Sequence, residues 1–153
     1  MTFKELFENR TIDLRDPDDY IPHDVYGKAV DRAEKQAKES MTKVSKLIGI
    51  TPKEAGRRKL DRTSTKTEPF ALLWVNKDGN RTEIRGPYTG SSFGATVSVS
   101  SPRSGIVSVE LPVNDVTKIT KDMLISALKE LEIKTKERGW SWNPPAKIKK
   151  LLS

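Results

Sequence analysis

The pattern that most limits how this chain can fold lies between Pro69 and Pro112. Ala95-Thr-Val-Ser-Val-Ser100 and Ile106-Val-Ser-Val-Glu-Leu111 both alternate apolar and polar residues. Val97 and Val99 on one strand, and Val107, Val109 and Leu111 on the other, therefore fall on a common face. Ser101-Pro-Arg-Ser-Gly105 joins the two. Upstream, the apolar run Phe70-Ala-Leu-Leu-Trp-Val75 and the polar return Asn80-Arg-Thr-Glu-Ile-Arg85 flank Asn76-Lys-Asp-Gly79, a turn in which Asp-Gly accepts positive φ. Two hairpins, over about 69–85 and 95–111, predict a four-stranded antiparallel sheet with one dry face.

The segments with helical period lie on either side of that sheet. From Asp24 to Ile48, the residues Tyr26, Ala29, Val30, Ala33, Ala37, Met41, Val44, Leu47 and Ile48 recur at steps of three and four, with Gly49 as the stop. From Lys121 to Arg138, Leu124, Leu128 and Leu131 line one face. Thr120 is placed to cap that helix and Gly139 to end it. The fold class expected is α+β: the four-stranded sheet covered by a long N-terminal helix (24–48) and a C-terminal helix (121–138). The chain divides into an acidic arm (1–22), a basic helical region (23–62), the sheet with its C-terminal helix (63–140) and a Trp/Pro/Lys tail (141–153). The middle two form one compact domain.

Charge is unevenly spread. The net +7 splits into −4 over residues 1–24, +7 over 25–67, −1 over 68–115 and +5 over 116–153. A near-neutral sheet between basic helical parts suits a polyanionic partner. There is no cysteine, no apolar run long enough to span a bilayer and no signal-peptide stretch, so the expectation is an intracellular, cytoplasmic protein. Asp13, Asp16, Asp18, Asp19 and Asp24, with His23 nearby, match no calcium-loop spacing and read as a solvated arm. Gly90-Ser-Ser-Phe-Gly94 spells G-x-S-x-G, but a strand follows it and the single histidine lies upstream, which excludes a nucleophile elbow. Glu83 and Glu110 on strands carry no further nuclease signature. The chain reads as non-enzymatic, with no cofactor and no metal.

Met41-Thr-Lys-Val-Ser-Lys-Leu-Ile-Gly49, the turn Gly49-Ile-Thr51 and Pro52-Lys-Glu-Ala-Gly-Arg-Arg-Lys-Leu60 resemble the helix-turn-helix family. The resemblance implies a recognition helix from Pro52 to Leu60, with Lys53, Glu54, Arg57 and Arg58 toward the major groove. The residues by themselves also suit a helix hairpin followed by a basic linker. On either reading the expected partner is DNA or RNA. Phosphates would be contacted by Lys53, Arg57, Arg58, Lys59, Arg62 and Lys66, helped by Arg138, Lys147, Lys149 and Lys150, with Trp140 and Trp142 as candidates for base stacking. The alternative is a protein–protein module, such as a virus-encoded accessory, inhibitor or virion-assembly protein. Its terminal arms would then reach a protein partner or a second copy.

Overall fold

A computed structural model describes residues 23–59, 67–87 and 94–153. The acidic arm, Arg62, Lys66 and most of the Gly90–Gly94 segment lie outside them. The chain divides into two units, Met1–Gln36 and Ala37–Ser153. Helix α1 spans His23–Leu47, so its first half belongs to the first unit, where Ala29, Val30 and Ala33 form a half-buried stripe.

In the second unit five strands form one antiparallel sheet, β1 (Glu54–Lys59), β2 (Thr67–Val75), β3 (Arg81–Arg85), β4 (Thr96–Ser101) and β5 (Gly105–Glu110), paired in sequence order. Helix α2 (Lys121–Glu137) and the short α3 (Ala146–Leu152) follow. The dry face is the expected one. Ile84, Val97, Val99, Val107 and Val109 are buried in one cluster with Leu124, Ala127, Leu128 and Leu131 of α2, with Ile148 of α3, and with Met41, Val44 and Ile48 from the end of α1. Thr120 caps α2 by accepting a hydrogen bond from the Met123 N–H, and Gly139 (φ 69°) closes it in the left-handed region open to glycine.

The sheet has five strands rather than four, and the fifth overturns the helix-turn-helix reading. Residues 54–59, expected as a recognition helix or the start of a linker, form edge strand β1, with Glu54 opposite Leu72 and Lys59 opposite Thr67. Gly56 in mid-segment is worth about 1 kcal/mol less than alanine in a helix, and the segment has no apolar stripe to bury as one. As a strand it gains a complete ladder with β2. Ala55 packs on the core, and the Arg58 guanidinium sits 4.4 Å from the centroid of the Phe70 ring. Tertiary pairing decides the matter over local propensity. The end of the chain is likewise ordered: residues 146–152 of the tail are helical, with Ile148 fully buried.

A candidate binding face on the sheet

The second face of the sheet is polar. It takes the alternate residues of each strand: Arg58 on β1, Glu68, Phe70 and Leu72 on β2, Arg81, Glu83 and Arg85 on β3, Thr96 and Ser98 on β4, and Ile106, Ser108 and Glu110 on β5. Glu83 is 3 % exposed, yet three guanidiniums meet it. Arg85 Nε donates to Glu83 Oε2 at 2.9 Å, and Arg58 Nη2 and Nη1 donate to Oε1 and Oε2 at 3.3 and 3.5 Å. Arg81 Nη2 stands 3.6 Å from Oε1. Burial alone would raise the Glu83 carboxyl. The Arg85 hydrogen bond and the charges of Arg58 and Arg85 outweigh burial and hold it below the ordinary carboxylate range.

Glu68 is equally buried, at 3 % exposed, and is treated in the opposite way. No described residue donates a hydrogen bond to it. Burial pushes its carboxyl above the ordinary range, Arg85 and Arg58 offset part of that, and Glu83 adds to the rise. Beside it a cavity of about 320 Å³ crosses the face from β2 to β5, bounded by Glu68, Arg85, Ser98, Ser108 and Glu110, with Pro87 and Ile106 as its apolar wall. Glu110 is fixed at one end, where Oε1 accepts the Gly94 N–H at 2.9 Å.

No protein-family model, curated protein or solved structure matches this chain. What the face does has to be read from its own chemistry.

The residues expected to bind nucleic acid are distributed as follows. Lys53, Arg57, Arg58 and Lys59 share β1 and its approach, and Arg62 and Lys66 fall within residues 60–66, which connect β1 to β2. Arg57 Nη2 donates to the Thr67 hydroxyl across that hairpin. Arg58 is engaged by Glu83 and Phe70. Lys149 and Lys150 are exposed on α3, and Lys147 Nζ donates to the Gly49 carbonyl at 3.4 Å. That hydrogen bond sets the start of α3 beside the α1–β1 connection, four residues before Lys53. Arg138 lies 5.9 Å from the Trp140 ring centroid, at the end of α2. Trp142 faces inward: its Nε1–H donates to Thr82 Oγ1 at 3.0 Å, and its ring stacks on Trp74 at 6.2 Å between centroids.

Two features of the face escape a residue-by-residue reading. Arg81, Glu83 and Arg85 recur at period two, so the sequence does hold the signal that three charges share one strand face. Glu68 carries no such signal, since its burial depends on strands that lie far along the chain. Among the described residues no group of three or more metal-ligating side chains comes together, and no helix is long and apolar enough to cross a membrane.

Proposed function

We propose that this protein binds nucleic acid through the β1–β2 hairpin, with α3 extending the contact surface. The observation that carries the reading is that residues 54–59 form an edge strand, with the sequence 60–66 connecting it to β2. Six cations, Lys53, Arg57, Arg58, Lys59, Arg62 and Lys66, against two acids, Glu54 and Asp61, fall in edge strand β1, its approach and the sequence that connects it to β2. A two-stranded ribbon is narrow enough for the major groove, and an edge strand also offers backbone N–H groups to phosphates. Arg58 serves Glu83, so the other five are the phosphate ligands. Lys147, Lys149 and Lys150 enlarge the same surface, because the Lys147–Gly49 hydrogen bond places α3 at the entrance to β1. Helix α2 and the end of α1, packed on the dry face of the sheet, act as its backing. The reading is non-enzymatic, needs no cofactor or metal, and suits a protein working inside the cell.

A second reading has its own support. Among the described residues no strand pairs with the outer side of β1, which could take up a strand from a protein partner or a second copy. The same arginines and lysines discourage such pairing, so the nucleic-acid reading ranks first.

Fluorescence anisotropy with duplex and single-stranded oligonucleotides at several salt concentrations tests this. Affinity should fall steeply with salt. Replacing Arg57, Lys59 and Arg62 by Ala should weaken binding at least tenfold. On duplex it should also flatten the log–log salt slope by about 0.9 for each phosphate that is no longer neutralised. Arg58 is left in place so that Glu83 keeps its partner. Binding insensitive to salt, or unchanged in the triple variant, refutes the reading, and a salt-insensitive self-association would favour edge pairing.

A further inference from the structure

A second cavity, of about 460 Å³, lies at the far end of β2, between Trp74 and Asn76 on one side and the segment that leads into α3 on the other. Trp74 and Asn76 stand two apart where β2 runs out, on the face that this segment covers. Trp142 stacks on Trp74, and Asn80 Nδ2 donates to the Ser141 carbonyl. Trp74 is 5 % exposed. Neither its indole N–H nor the side-chain nitrogen of Asn76, both buried, has a hydrogen-bond partner among the described residues. Trp142 shows the contrast, since its own Nε1–H is given to Thr82. Two buried donors without acceptors are costly, so the wall of this cavity is incomplete as it stands.

We infer that the cavity takes a neutral planar amide, a pyrimidine base of the uracil or thymine type, whose ring carbonyls accept from Trp74 and Asn76. Charge and hydrogen-bonding sense select that class. Lys77 and Asp78 border the cavity and cancel, so an anion finds no net positive charge there. The Asp78 oxygens already accept from Asn80, Oδ1 from its backbone N–H and Oδ2 from its side chain, each at 3.3 Å. An ammonium would therefore meet donors. A uracil-type ring sets an N–H between its two carbonyls, and Ser141 and Asn143, which also border the cavity, carry oxygens to accept it. Cytosine would instead turn an amino donor toward the protein's donors. Pro144 and Pro145 give the ring an apolar surface, and the volume is in the range of small-molecule sites. Residues 141–145 run directly into α3, whose Lys147 reaches Gly49 at the approach to β1. A base held here then belongs to a strand whose phosphates meet the basic surface, a step that rests on the nucleic-acid reading above.

The test is proton–nitrogen correlation NMR of the full chain, in which each tryptophan gives one indole N–H signal and Trp74→Phe identifies that of Trp74. Uridine, thymidine, cytidine and inorganic phosphate are titrated separately. Uridine and thymidine should move the Trp74 indole and Asn76 side-chain signals saturably, with cytidine about tenfold weaker. Asn76→Ala keeps the backbone hydrogen bonds of the turn and should weaken uridine about tenfold, its fold checked by the dispersion of the remaining signals. In anisotropy, oligothymidylate should bind more tightly than oligocytidylate, and the preference should vanish in Asn76→Ala. Nucleosides carry no phosphate, so the two readings fail separately. Uridine binding without salt-sensitive strand binding keeps this site and removes the role of the basic surface, and the reverse removes this site alone. The proposal is overturned if no nucleoside moves the Trp74 signal, if cytidine moves it equally, or if inorganic phosphate does.

Discussion

Glu83 and Glu68 share one sheet face and the same degree of burial, so replacing each by glutamine is a direct test of the electrostatics described above. In Glu83→Gln the chief loss is the charge-assisted hydrogen bond from Arg85 at 2.9 Å, worth about 1.5–3 kcal/mol. The approaches of Arg58 and Arg81 come from side chains 34 % and 42 % exposed, at 3.3 and 3.6 Å. Solvent screens these, and together they add no more than about 1 kcal/mol. A loss of about 2 kcal/mol overall is expected at neutral pH, a fall in Tm of roughly 8 °C for a unit of this size. In Glu68→Gln the sign reverses. The substitution removes a buried charge that no described donor satisfies, and stability should rise by up to about 1 kcal/mol. The pH dependence follows from linkage. The Glu83 carboxyl is held below its unfolded value, so its contribution is complete above about pH 4.3 and is lost as the pH falls through the lowered folded value. The Glu68 carboxyl is raised. Its protonated form favours the folded state at low pH, and that advantage is lost as the pH rises through the raised value. Urea denaturation followed by tryptophan fluorescence at pH 7 and at pH 4 measures both. Two destabilised variants of similar magnitude, neither changing with pH, would refute the reasoning.

Two further substitutions probe the frame that holds the face. Gly86→Ala should destabilise by about 1–3 kcal/mol in the same denaturation assay, because a Cβ there would lie 2.5 Å from Pro69 Cγ and 2.8 Å from Val116 Cγ1, inside a packed region. Trp142→Phe keeps an aromatic ring against Trp74 but removes the donor to the fully buried Thr82 hydroxyl, and should lose about 1–2 kcal/mol with the far-ultraviolet spectrum unchanged.

Much of the sheet was legible because its strands carry their own period. Val97 and Val99 against Ser98, and Val107 and Val109 against Ser108, announce both strand and face before any pairing is known. Helix α2 was legible for the same reason, with Thr120 and Gly139 marking its ends. Strand β1 was not. Glu-Ala-Gly-Arg-Arg-Lys has one small apolar residue, and an edge strand needs little more, since only one of its sides must be paired. Arg58 reads as a free cation until Glu83, 25 residues away, is brought beside it. The cavity was illegible on the same ground, because Glu68 and Glu110 meet it from β2 and β5, and nothing local to either residue indicates the other.

The order β1-β2-β3-β4-β5 joins only strands adjacent in sequence, and this has a kinetic consequence. Each pairing closes a short loop, so the sheet can assemble hairpin by hairpin at small entropic cost. The C-terminal segment is different. Trp142 returns across 60 residues to Thr82, and Asn80 Nδ2 reaches across 61 residues to the Ser141 carbonyl at 2.7 Å. Docking of residues 141–152, like the packing of Met41, Val44 and Ile48 against helix α2, is thus a long-range step that follows assembly of the sheet.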